Sequence, residues 1–196
     1  MRLQKKNLNM DNETFIRSYD NAIPNVLCDK LVEKFESNQD QWEHRDKQTT
    51  DRGNLTFNEV HCFKYMDTWK EEMEALSNIF KMYTLEYMKQ FNQFCFPPKY
   101  GFESFKMKKY EPNGIDEFGW HVDVTSTDGM KRWLAFFLYL SDNEEGKTEF
   151  PYQKVTTDCK KGTMVLFPPM WPWLHRGMKP IKEPKYFMGS YLHYVE

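Results

Sequence analysis

The chain has 196 residues, 29% of them charged, and a net charge of −2, with a pI of about 6.2 and a mean hydropathy of −0.80. That balance excludes the basic excess that marks a nucleic-acid binder, and no apolar run approaches the roughly 20 residues of a membrane span. The length suits one domain, residues 1–196, with a sizeable core.

The opening Met1-Arg2-Leu3-Gln4-Lys5-Lys6-Asn7 lacks the apolar stretch of a secretory signal, so a soluble cytoplasmic or other intracellular location is expected. Cys28, Cys62, Cys95 and Cys159 are scattered with no CxxC pair, which favours free thiols in a reducing compartment. Aromatic residues reach 17%, enough to expect a core built of large side chains.

Residues 1–14 are polar and read as a loose or partly paired end. Asp20 to Asn25 reads as a strand exit into a turn. A short helix follows, with Leu27, Leu31 and Phe35 on one face and Asn25 as its cap. Residues 43–58 are polar and charged and read as a long loop or irregular hairpin, either a lid over a site or a solvated connection. The strongest helix spans about Asp67 to Phe94. Trp69, Met73, Leu76, Phe80, Tyr83, Tyr87, Phe91 and Phe94 form its stripe, the face expected to pack on a sheet. Phe96-Pro97-Pro98 should end it.

From residue 100 the pattern turns to short strands. Phe102–Tyr110 alternates. Trp133–Leu140 is continuously apolar, as in a strand buried on both faces. Ser141–Gly146 is turn-rich. Thr163–Phe167 and Lys185–Tyr194 complete the set. Helices first and many short strands later point to a mainly β fold, a barrel or sandwich buttressed by N-terminal helices.

The chemistry sits in Trp120-His121-Val122-Asp123 and, 52 residues beyond Asp123, His175. On an extended strand His121 and Asp123 leave the same face. Two imidazoles and one carboxylate form the facial set that holds iron(II) and leaves adjacent positions open for oxygen chemistry. Alone, His-x-Asp is short enough to arise by chance, and a capping or core histidine would explain it. Lys185 follows His175 by ten residues. An inward lysine there would need an anion, and a tyrosine hydroxyl such as Tyr110 could share it; a surface lysine is the plain alternative.

Several segments then resemble one family. Lys109-Tyr110-Glu111-Pro112-Asn113-Gly114 with Phe118-Gly119-Trp120-His121-Val122-Asp123 resembles the tyrosine-to-HxD segment of prolyl 4-hydroxylases. Arg132–Leu140 is similar to their arginine-led strand. Gly146–Pro151, Lys161–Phe167, His175-Arg176-Gly177 and Lys185-Tyr186 follow in the family's order, so the motif-bearing core is about residues 100–194. The resemblance implies a double-stranded β-helix, or jelly-roll, and the prolyl 4-hydroxylase-like iron(II)/2-oxoglutarate-dependent dioxygenases. It makes His121, Asp123 and His175 the metal ligands. Lys185 and Tyr110 would bind the distal carboxylate of 2-oxoglutarate. Arg132 and Tyr191 would lie on the substrate side. Dioxygen is the other co-substrate, and ascorbate binding comes with the family. The implied reaction couples decarboxylation of 2-oxoglutarate, to succinate and CO2, with hydroxylation of a C–H bond. Proline in a peptide or protein is the expected target, with no nucleic acid or membrane partner. Glu145, Ala135 and Pro184 stand where the family usually has glycine, threonine and glycine.

Other readings are a hydroxylase of a free amino acid or small molecule, a nucleic-acid oxidative demethylase, and a non-catalytic jelly-roll. Acidic composition opposes the second of these, and the complete donor set with Lys185 opposes the third. Trp171 and Trp173 either form an aromatic rim for an extended peptide or simply pack a loop. Oligomeric state is left open.

Overall fold

A computed structural model describes residues 13–49, 51–91 and 93–196. Most of the polar N-terminal stretch, residues 1–12, lies outside these.

The chain enters through β1 (Arg17–Tyr19) and turns into α1 (Asn25–Ser37). Cys28, Leu31 and Phe35 are the buried face of α1. Asn25 does not cap it. Pro24 holds the cap position with an extended backbone, and no side chain bonds the first turn. Of residues 43–58, expected as a long loop or irregular hairpin, the described ones follow the hairpin alternative: β2 (Glu43–Lys47) pairs antiparallel with β3 (Leu55–His61). The polar pattern hid β3, whose Phe57, Glu59 and Val60 are all buried.

The long helix, α2, runs Met66–Gln90 and buries Trp69, Met73, Leu76, Phe80 and Tyr87. It stops before the prolines: Phe91 is extended and its N–H turns back to Met88 O. Phe94, at 90% exposed, lies off the packed stripe. Glu72 is also buried on α2, answered by Lys34 at 2.6 Å and Lys30 at 3.3 Å.

The remaining chain is β4 (Tyr100–Phe102), β5 (Lys106–Tyr110), β6 (Glu117–His121), β7 (Arg132–Tyr139), β8 (Asn143–Phe150), β9 (Val155–Cys159), β10 (Met164–Phe167), β11 (His175–Gly177) and β12 (Lys185–Tyr194). The single strand expected over 102–110 is thus two, broken where Glu103 N–H bonds Tyr191 O. The turn-rich 141–146 segment belongs largely to β8, whose Asn143 Oδ1 accepts the Gly146 N–H and so imitates a turn within a strand.

All pairings are antiparallel, in the order β1-β10-β7-β12-β5-β3-β6-β11-β8-β9, with β2 on β3 and β4 on β12. The alternation on β7 explains its continuous apolar run. Leu134, Phe136 and Leu138 face the core shared with α1 and α2. Ala135, Phe137 and Tyr139 face inward, onto Phe150, Val165 and Phe167. Each large side chain buried this way contributes about 1.5–3 kcal/mol of transfer free energy. Trp133, at the strand's start, is only partly buried. The result is a mainly β jelly-roll with two helices packed on one face. Among the described residues no helix is long and apolar enough to cross a membrane.

Candidate functional site

The inward face of the β-core holds a cavity of about 100 Å³ whose walls include Tyr110, His121, Asp123, His175 and Lys185. β6 delivers His121 at its last residue, and Asp123 follows just past the strand end. β11 delivers His175 at its first residue, directly opposite His121 in register. Residues far apart in sequence thus meet because β6 and β11 are sheet neighbours.

The donors are pre-aimed. His121 Nδ1 lies 2.7 Å from Gly119 O, and His175 Nδ1 lies 3.0 Å from Trp173 O. Each backbone carbonyl fixes a tautomer with the proton on Nδ1 and leaves the Nε2 lone pair free. Both Nε2 atoms turn toward Asp123: His121 Nε2 is 3.6 Å from Oδ1 and His175 Nε2 is 3.9 Å from Oδ2. These separations are too long for hydrogen bonds. All the donor atoms lie within 4.8 Å of one another.

The rings are clamped as well. His121 stacks on Phe118 at 3.7 Å and 3°, and His175 sits against Phe150 and Phe167. Burial, aided by the neighbouring His121, pushes His175 down to about 4, so its imidazole is neutral at pH 7. Burial disfavours the Asp123 carboxylate, but His175, His121 and the Tyr191 hydroxyl outweigh it and hold the group below the usual carboxylate range.

One observation tests whether a metal fits. Asp123 Oδ2 is buried and has no hydrogen-bond partner among the described residues. An orphaned carboxylate oxygen beside two free imidazole lone pairs is costly to bury, and a divalent cation would satisfy all three. Two imidazoles and one carboxylate suit iron(II) with open positions.

Lys185 lies in the same cavity. It opens β12 opposite Tyr110 on β5. It is buried and makes no hydrogen bond or ion pair with a described residue; only the rings of Tyr110, at 5.4 Å, and Tyr139, at 5.7 Å, face its ammonium. Burial lowers it to about 8. Two glycines make room for it: a Cβ on Gly146 would come within 2.9 Å of Lys185 Cδ, and one on Gly177 within 3.4 Å of Nζ. Burial keeps Tyr110 protonated far above the ordinary tyrosine range, so its hydroxyl is a donor. A cation and a donor in a dry recess fit one carboxylate.

Arg132 and Tyr191 are engaged with the site's own groups. Tyr191 donates to Asp123 Oδ1 at 2.7 Å. Arg132 reaches both oxygens of Glu103 at 2.8 Å, donates to Asp123 O at 2.9 Å, and lies 4.0 Å over the Tyr191 ring. Tyr191 braces the Asp123 carboxylate and Arg132 its backbone carbonyl, and both border an open groove of about 380 Å³, with Lys47, Arg52 and Trp120, that reaches His121 and Asp123 from outside. Trp173 is tied to Thr14 O and packs inward, whereas Trp171 is 75% exposed.

The sequence reading missed Lys108, Phe118 and Glu103. The period-two repeat Lys106-x-Lys108-x-Tyr110 was the available signal for the first. A second donor group, Glu43, Glu59 and His61, is already answered by Arg45 and Lys64.

Residues 105–193 match the family model of the 2OG-Fe(II) oxygenase superfamily. This segment is similar to that superfamily. The 2OG-Fe(II) oxygenase pattern implies iron(II), 2-oxoglutarate and dioxygen, and residues 105–193 include Tyr110, His121, Asp123, His175 and Lys185. The fold likeness extends further along the chain. A viral collagen prolyl hydroxylase from Paramecium bursaria Chlorella virus-1 is 19% identical, with a TM-score of 0.62 over 94% of this chain and 98% of that one. A prolyl hydroxylase from Trichoplax adhaerens, solved with a peptide of hypoxia inducible factor, is 12% identical, with a TM-score of 0.65 over 93% and 84%. The α-ketoglutarate-dependent epimerase SnoN of nogalamycin biosynthesis is 12% identical, with a TM-score of 0.67 over 92% and 78%. At these identities the likeness is one of fold. No curated sequence gives a significant match.

Proposed function

We propose that this chain is an iron(II)- and 2-oxoglutarate-dependent dioxygenase that hydroxylates a C–H bond, with proline in a peptide or protein as its target. The observation that carries the reading is the pairing of an orphaned Asp123 oxygen, beside two free histidine nitrogens, with an unanswered Lys185 ammonium in one small cavity. His121, Asp123 and His175 would hold the metal. Lys185 and Tyr110 would take the distal carboxylate of 2-oxoglutarate. The bound iron would supply the oxidising chemistry, releasing succinate and CO2, with ascorbate as accessory reductant.

The chain's own residues do the rest. Gly119 O and Trp173 O keep the histidine lone pairs turned inward. Tyr191 and Arg132 keep Asp123 in place. Phe118, Phe150 and Phe167 shield the donors from water. The groove bordered by Trp120, Lys47 and Arg52 is the route for the molecule to be oxidised, and a peptide suits its open form. Two of the similar folds belong to prolyl hydroxylases, one holding a peptide, which supports proline; the epimerase has the same fold, so the fold alone does not choose the substrate.

The test is incubation with iron(II), 2-oxoglutarate and panels of proline peptides, free amino acids and oligonucleotides. A proline peptide gaining the mass of one oxygen, with matching succinate, is expected. Oxygen gain confined to another panel would replace proline as the target.

A further inference from the structure

Lys108 is the second buried lysine of this cavity, and the reading above gives it no role. It sits in mid-β5, opposite Glu59 on β3 and Phe187 on β12. Because β5 alternates, Met107 enters the helix-facing core while Lys108 and Tyr110 line the cavity. Lys108 is 8% exposed. It makes no hydrogen bond or ion pair with a described residue. Its ammonium faces rings instead: Phe57 and Phe118 at 4.4 Å each, and Phe187 at 5.9 Å.

The acids nearby do not answer it. Glu59, across the strand pair, is held by Arg45 at 2.6 Å. Glu103 is held by Arg132. Asp123 is turned to the histidines and Tyr191. Burial lowers Lys108 to about 8, with Glu59 opposing the shift, so it is charged at neutral pH. Aromatic faces replace only part of the hydration that a buried ammonium loses. Phe118 carries Lys108 on one contact and stacks on His121 by another, so this cation stands beside the proposed metal ligands.

We propose that Lys108 is a second anion-binding group of the cavity, taking a carboxylate other than the one that Lys185 takes. The inference rests on the dioxygenase reading for the occupant of Lys185. The carboxylate has two sources: the keto-acid end of 2-oxoglutarate, or an acidic group on the molecule being oxidised. The basic lining of the outer groove, Lys47 and Arg52, agrees with an acidic molecule entering.

The experiment compares the whole chain with its Lys108→Met, Lys108→Arg and Lys185→Met variants, all metal-free, by calorimetry and thermal melting. Lys108→Met should melt higher than the parent when no anion is present, because an unanswered buried charge is gone. In the first arm 2-oxoglutarate is titrated. A loss of about tenfold or more in affinity, restored by Lys108→Arg, assigns the keto-acid end. In the second arm acetate is titrated into protein saturated with 2-oxoglutarate. Loss of acetate binding in Lys108→Met, with 2-oxoglutarate affinity unchanged, assigns a carboxylate of the oxidised molecule. Unchanged binding in both arms, or a lower melting point with unchanged binding, overturns the proposal and makes Lys108 structural. If the parent chain has no affinity for 2-oxoglutarate even with manganese(II) present, the dioxygenase reading fails, while acetate titrated into Lys185→Met, in which Lys185 can no longer answer it, still reads Lys108. Lys108→Gln serves the same readouts if the Met variant does not fold.

Discussion

Tyr191 donates its hydroxyl to Asp123 Oδ1 at 2.7 Å, and Asp123 Oδ2 is left buried without a partner among the described residues. One oxygen anchors the carboxylate and the other is presented between two imidazoles. Tyr191→Phe should therefore keep the fold, since the ring stays under Arg132, but release the carboxylate to rotate. Divalent metal affinity should fall about 10- to 100-fold, the range for a lost partner of a metal ligand. Calorimetric titration with manganese(II) measures it, and unchanged affinity would remove Tyr191 from the ligand's support.

Lys185 sets a pH dependence for 2-oxoglutarate binding. Burial lowers its ammonium to about 8. Below pH 8 it is already charged and affinity should be flat. Above pH 8 the free protein has lost the proton and binding must take one up. Affinity should then fall about tenfold per pH unit for this one group. Lys185→Met should weaken binding at pH 7 and, with no ammonium left, add no pH dependence of its own.

The apo chain should lose stability in mild acid through His175. Its folded value of about 4 lies below the ordinary 6.5. As pH falls from 6.5 to 4 the unfolded chain takes up the proton first, so the folded state is disfavoured over that window. The full effect is about 3 kcal/mol. Urea melts at pH 7 and pH 4.5 should show most of it, and His175→Gln should flatten the difference.

Gly119 seats the hairpin of β2 and β3 against β6. Its N–H bonds Asn54 O, and a Cβ there would meet Arg52 O at 2.2 Å. Gly119→Ala must push the hairpin tip off the strand that carries His121. A loss of about 1–3 kcal/mol is expected, as for overpacking. Metal affinity should drop with it. A variant with parent stability and parent affinity would show that the tip moves freely.

The sequence carried the site further than the fold's details. That His121, Asp123, His175, Lys185 and Tyr110 would come together was legible, and all five line one cavity, because a strand's period of two and a family's motif order survive in one dimension. The helix stripe was legible to Tyr87 and misleading at Phe94, since periodicity continues after packing has ended. The hairpin of β2 and β3 was obscured because Glu59 and Asn58 look solvated, and only a partner such as Arg45 makes burial of Glu59 tolerable. Lys108 was hidden in Lys106-Met107-Lys108-Lys109, which reads as a wet charged run. Its inward turn depends on β5 lying between β3 and β12. Arg132 and Tyr191 were placed near the site, but that they brace Asp123 follows from distances no motif encodes.

The most direct test of the central claim is anaerobic titration of the chain with iron(II) and 2-oxoglutarate, followed by visible absorption. A weak charge-transfer band should grow to one equivalent of each, and His121→Ala and Asp123→Ala should abolish it while remaining folded. A folded parent chain that shows no band at saturating iron(II) and 2-oxoglutarate would contradict the account.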